Sequence, residues 1–283
     1  MTSSFGKRGG RPPARRWKEK EAWRRPGGKD APRTDAGERG DWIYGRRPVL
    51  ETLCANRRHV HQICLAEGAG GASGLAEIRD IVESRGIPFR LVSREELDEL
   101  AQGGNHQGVA MRVGGFPYVG FDQVLHDVRE NAQALVLALD HISDPQNVGS
   151  LLRSADAAGA TAVILPEDRA AGVTPAATRA SAGASEHMRV AKVVNLARAL
   201  RDLKDAGAWV NGLDVGEDAT TYTKADLKGR CVLVVGSEGD GLGRLVRETC
   251  DRIISIPMGG KVSSLNAAVA GALVLYEAVR QRG

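Results

Sequence analysis

The chain has 283 residues, 42% of them hydrophobic, and a formal net charge of +4. That length allows one large or two modest domains with real cores, and no apolar run approaches the roughly 20 residues that a membrane-spanning helix needs. The longest, Ala267–Val279, is interrupted by Gly271 and Glu277, so no membrane partner is expected. The charge is segregated: residues 1–40 hold twelve Lys and Arg against five Asp and Glu, and the rest of the chain holds 27 against 30. The basic N-terminus lacks the apolar segment of a secretory signal. Cys54, Cys64, Cys231 and Cys250 lack metal-ligand spacing, which suits a reducing, cytoplasmic setting and no metal site.

Taken in chain order, residues 1–40 mix Arg, Gly and Pro without apolar periodicity. Such a segment buries too little surface to offset its ordering entropy and is expected to be a disordered basic tail. With Trp17 and Trp23 among arginines, it suits RNA through counterion release and base stacking, or serves only to solubilise. Residues 41–115 read as a small α/β domain. A helix opens near Arg47-Pro48, where proline suits a first turn, and is followed by a strand (61–67), a helix (74–86), a strand (88–92), a short helix (94–102) and a strand (108–113). Residues 116–133, beginning with Phe116-Pro117-Tyr118, read as a linker. From 134 to 283, near-continuous apolar strands such as ALVLAL, TAVILP, RVAKVV and CVLVVG alternate with amphipathic helices. That pattern predicts an α/β fold with a parallel sheet covered on both faces.

Three segments of this second domain could carry chemistry. In the helix 147–159, Val148, Leu151, Leu152 and Ala155 form a buried stripe. Arg153 falls on its flank, partly shielded, and Asn147 sits at its start, placed to cap the helix or meet a ligand. The loop GSEGDGLG (236–243) follows an apolar strand. Its glycines are out of order for a dinucleotide fingerprint, and Gly260-Lys261 is followed by Val262 rather than Ser or Thr, so neither a dehydrogenase nor a P-loop is indicated. Glu238 in that loop is placed to orient a substrate or a partner arginine. Ser263, Ser264, Leu265 and Asn266 begin the last helix, with hydroxyls suited to capping it and more polar groups than a cap requires.

The motifs NVGSLLRSA (147–155), VVGSEGDGL (234–242) and IPMGGKVSSLNAAVA (256–270) together resemble the SpoU/TrmH family of RNA ribose 2′-O-methyltransferases, of the SPOUT class. The first domain, with Tyr44-Gly45-Arg46, Val49–Leu53 and Asn105–Val109, is similar to that family's L30e-like substrate-binding module. The resemblance covers residues 41–283 and leaves the tail outside. It implies a C-terminal trefoil knot, S-adenosylmethionine as cofactor, and a homodimer. It implies cofactor contacts at Gly236, Ile256, Met258 and Leu265, with Gly212 and Leu213 as weaker candidates. Asn147, Arg153, Glu238, Ser264 and Asn266 match the family's catalytic set. The implied substrate is a guanosine of 23S rRNA, with a tRNA guanosine or a non-catalytic ribosome-assembly role as alternatives. The family assigns the 2′-hydroxyl proton to the arginine matching Arg153. A guanidinium stays protonated in ordinary settings, so a phosphate clamp is the better physical role for it.

Overall fold

The computed structural model describes residues 40–68 and 74–283. The tail expected over 1–40 therefore lies almost wholly outside the described residues. Two sheets make up the rest. The first is ordered β1-β4-β2-β3, from β1 (Asp41–Tyr44), β2 (Val60–Ala66), β3 (Phe89–Val92) and β4 (Val109–Val113). β4 pairs antiparallel with β1 and β2, while β2 and β3 are parallel. Helices α1 (Arg46–Ala55), α2 (Leu75–Arg85) and α3 (Arg94–Leu100) complete this layer. Val49, Leu53, Ile78 and Val82 meet Ile43, Ile63 and Met111 in its core.

The second sheet has seven strands in the order β7-β6-β5-β10-β8-β11-β9, every pair parallel. Its strands are β5 (Leu135–Leu139), β6 (Ala162–Pro166), β7 (Val190–Val193), β8 (Trp209–Leu213), β9 (Thr220–Thr221), β10 (Cys231–Val235) and β11 (Arg252–Ser255). The helices are α4 (Phe121–Glu130), α5 (Pro145–Ala157), α6 (Pro175–Ala180), α7 (Leu196–Asp205), α8 (Arg244–Thr249) and α9 (Ala267–Arg282). Alternate strand residues feed two cores. Leu135, Leu137, Leu233 and Val235 pack on α5 and α9, whereas Val136, Ala138, Val232 and Val234 pack on α4, α7 and α8. Both faces are dry, which is why these strands read as unbroken apolar runs.

Three elements differ from the sequence reading. Residues 121–130 are a helix, and Val124, Leu125 and Val128 belong to the second sheet's core, so most of the expected linker is part of that layer. β1 and the two-residue β9 carry too little periodicity to be read at all.

The two layers are joined by buried charge. Arg58 donates from Nε and Nη2 to both oxygens of Glu186, at 3.0 and 2.8 Å, and both side chains are fully buried. Burial pushes the Glu186 carboxyl up against the pull of Arg58. Arg57 donates to the carbonyls of Glu186, Met188 and Pro117. His187 meets Glu51 at 3.0 Å in the same seam.

Candidate active site

The strand order sets the place of the site. From β5 the chain moves outward to β6 and β7, then returns so that β8 and β11 lie on the other side, with β10 between β5 and β8. Ligands of open parallel sheets sit at the carboxyl ends of strands where the order reverses, because neighbouring loops diverge there. A cleft of about 390 Å³ opens at those ends, within the range of small-ligand sites. Its walls come from the ends of β8 and β10, the segment after β11 and the start of α9. Leu213, Val235, Ile256, Met258 and Leu265 supply apolar surface, while Glu238, Asp214, Ser263 and Ser264 supply polar groups.

The glycine loop is held by its own backbone. Ser237 and Gly241 exchange N–H to carbonyl hydrogen bonds at 3.1 and 3.2 Å. A Cβ on Gly236 would lie 2.3 Å from the Gly241 carbonyl carbon and oxygen, so residue 236 must be glycine for the loop to fold onto itself. Gly241 has φ +66° and would carry a Cβ 2.9 Å from Asp214 Oδ1, so a side chain there would be strained and would displace Asp214. Fully buried Asp140, after β5, accepts from Gly243 N at 2.7 Å and meets His141 Nδ1 at 2.6 Å, anchoring the far end of the loop.

Asn147, Glu238 and Asn266 come together across three segments. Asn147 Nδ2 and Asn266 Nδ2 both donate to Glu238 Oε1, and Asn266 Nδ2 also donates to Asn147 Oδ1 at 2.9 Å. Asn266 Oδ1 accepts from Ala268 N and Val269 N, which fixes the amide with its donors facing Glu238. Asn147 does not cap α5. Asp144 does, accepting from Gln146 N at 2.9 Å ahead of Pro145 in the first turn, and this frees the Asn147 side chain for the network. Asn266, rather than a serine, caps α9. Ser263 and Ser264 are exposed on the cleft rim instead.

The other candidates separate. Gly236, Leu213, Ile256, Met258, Leu265 and Ser264 line the cleft. Gly212 does not, because its open side faces Leu242, Cys250 and Ile253 in the core. Arg153, expected to be partly shielded, is exposed and has no hydrogen-bond or ion-pair partner among the described residues. It lies six residues beyond Asn147, about 9 Å along the helix, so the chain does not bring it into the Glu238 network. In the first layer, Gln107 accepts from Arg46 N through Oε1 and from Arg46 Nε through its carbonyl, both at 3.0 Å, and His106 Nδ1 accepts from Gly108 N. Both residues shape this turn. Asp214 was missed by sequence reasoning. Its only signal is a position at the end of an apolar strand.

Residues 134–276 match the SpoU rRNA methylase family, and residues 42–119 match the RNA 2′-O ribose methyltransferase substrate-binding family. The 23S rRNA (guanosine-2′-O-)-methyltransferase RlmB of Xylella fastidiosa is 42% identical over 247 residues, 87% of this chain and 98% of that protein. The crystal structure of the SpoU methyltransferase AviRb from Streptomyces viridochromogenes is similar with a TM-score of 0.72 at 27% identity, covering 86% of this chain and 90% of that one. The same protein in complex with AdoMet has a TM-score of 0.69 at 26% identity, covering 85% and 89%.

Proposed function

Since this chain belongs to the SpoU rRNA methylase family, we propose that it transfers a methyl group from S-adenosylmethionine to the ribose 2′-hydroxyl of a guanosine in 23S rRNA. The observation that carries this reading is the cleft at the reversal of strand order, in whose lining Glu238 is hydrogen-bonded to Asn147 and Asn266. RlmB, which by its name acts on that RNA, is similar over nearly its whole length. The residues present fit the cofactor. A loop that only glycine at 236 permits leaves a pocket with apolar walls for a nucleoside base and a polar rim for its charged end.

When bound, S-adenosylmethionine supplies a methyl already activated on a sulfonium centre, so the protein's task is mainly positioning. Leu213, Ile256, Met258 and Leu265 hold the base, and the backbone at Gly236 forms the floor. Glu238 is oriented by the two asparagine amides, and Ser264 offers a hydroxyl at the rim. Arg153 clamps an RNA phosphate through its planar fork and stabilises the negative charge that develops on the 2′-oxygen as its proton is released to solvent.

The reading extends to a homodimer. Val269, Leu273 and Tyr276 recur along α9 and are 49, 40 and 52% exposed, an apolar stripe that a second copy would cover. An exposed Arg153 with no partner among the described residues suits a site completed across that contact. It also extends to a trefoil knot, supported by β10 lying between β5 and β8, which precede it in the chain. Residues 41–115 serve as the RNA-binding module and 121–283, with α4 included, as the catalytic one, in the cytoplasm. All four cysteines are free, and burial pushes Cys231 up to about 11 and Cys250 up to about 12, keeping both as thiols.

The test is methyl transfer from labelled S-adenosylmethionine to total RNA from cells lacking the enzyme. We expect label in 23S rRNA, none with Arg153→Ala, and turnover reduced by about 10²-fold or more with Arg153→Lys, which keeps charge but loses the fork. Label confined to tRNA would overturn the substrate assignment. Arg153→Lys at the wild-type rate would overturn the clamp.

A further inference from the structure

Three carboxylates line the cleft among the described residues, and they are not equivalent. Glu238 takes the two asparagine amides and the Ala267 N–H all on Oε1, so it does not offer an acceptor site on each oxygen. Asp240 is exposed on the loop tip. Asp214 is different. It follows β8 directly, its side chain is only 18% exposed, and it is braced. Arg247 Nη1 donates to Oδ2 at 3.1 Å, and Val215 N donates to Oδ1 at 2.8 Å. The second arm of Arg247 is fixed on Asp218 at 2.6 Å, so the guanidinium that orients Asp214 is itself held.

A carboxylate offers about four lone-pair sites. Two on Asp214 are filled, one on each oxygen. The group stands against the glycine loop, close enough that a Cβ on Gly241 would reach it, and it lines the cleft beside Leu213, Val235 and Gly236. A pair of adjacent hydroxyls matches an oriented carboxylate with one free acceptor site on each oxygen. Open α/β sheets place a ribose-binding acid at a strand end on the same logic.

We propose that Asp214 accepts hydrogen bonds from the 2′- and 3′-hydroxyls of the cofactor's ribose, with Arg247 as the positioning residue that holds it. The assignment rests on the reading of this cleft as the S-adenosylmethionine site. It makes the cleft selective for ribonucleosides over deoxyribonucleosides, a property that the apolar walls and the Glu238 network do not supply.

The test is titration calorimetry on the full chain with S-adenosylhomocysteine and with its 2′-deoxy and 3′-deoxy ribose analogues. Wild type is expected to bind each deoxy analogue about 10-fold or more weakly, the scale of a hydrogen bond to a charged group. Asp214→Ala and the shape-preserving Asp214→Asn should weaken S-adenosylhomocysteine comparably and erase the discrimination. Arg247→Met should weaken binding less, with part restored in Arg247→Lys. Equal affinity of wild type for all three ligands would overturn the proposal. So would an Asp214→Ala variant that loses the same factor for each ligand, which is the mark of a residue that merely pins its loop. No binding of S-adenosylhomocysteine to wild type would overturn the reading of the cleft, and this assignment with it.

Discussion

Gly236 is constrained by the fold for a reason that the sequence does not carry. The family resemblance marked it as a backbone that the cofactor could approach. The structure adds that the nearest backbone is the protein's own, the Gly241 carbonyl. Gly236→Ala would put a methyl against main chain that has nowhere to yield, and would force the loop away from its Ser237–Gly241 pairing. We expect affinity for S-adenosylhomocysteine to fall by about 10-fold or more, since small misplacements of positioning groups are expensive. Circular dichroism should show the sheet unchanged; unaltered affinity would contradict this account. Asn147 and Asn266 were visible as residues but not as partners. Their meeting joins positions 119 apart in the chain, which no local pattern encodes. Asp144 could have been found, because an aspartate followed by proline is a helix-start signature, and it would have shown that Asn147 was not needed as a cap.

Among the elements, the long apolar strands and amphipathic helices were legible because burial on both faces writes itself into composition. α4 was not, although Val124, Leu125 and Val128 have helical spacing. Its N-cap is Gly120, with no side-chain hydrogen bond to announce the start. The last turn of α9 carries a clasp that periodicity also cannot show. Glu277 accepts from Arg280 and Gln281, Gln281 reaches the Ala225 carbonyl and the Leu227 N–H, and Arg282 reaches the carbonyls of Leu227 and Gly229. The hydrogen bonds from Arg280, then Gln281, hold the Glu277 carboxyl at about 2, below its ordinary 4.5. A carboxyl depressed in the folded state contributes stability above its unfolded value, and loses it as pH falls towards the folded value. The thermal midpoint of wild type should therefore exceed that of Glu277→Gln at neutral pH, and the gap should narrow progressively below about 4.5. A gap independent of pH across that window would mean that the carboxylate's charge contributes nothing.

For the whole molecule, fold class was readable from the alternation of strands and helices, but the order of strands was not, because β10 pairs with β5 and β8 rather than with its neighbours in sequence. The seam between the two sheets was equally hidden, since Arg58 and Glu186 look like ordinary surface charges until their burial is known. Arg58→Met would leave the Glu186 carboxylate in the interior with only the Thr178 hydroxyl and the charge of Arg57 in support, a loss of about 3–5 kcal/mol. Adding Glu186→Leu should recover most of it, because an apolar pair asks for no compensation. Urea denaturation of the single and double variants measures both; a double variant no more stable than the single would refute the argument. The Glu238 network has a consequence in time as well as in space. Helical turns form within microseconds of the start of folding. The rim of the cleft must wait for segments 91 and 119 residues apart to meet, and such distant pairings are slow because loop closure comes before any contact repays it. A half-folded chain can thus possess much of its secondary structure and no capacity for its ligand, so recovery of binding during refolding reports the arrival of topology rather than the growth of helix.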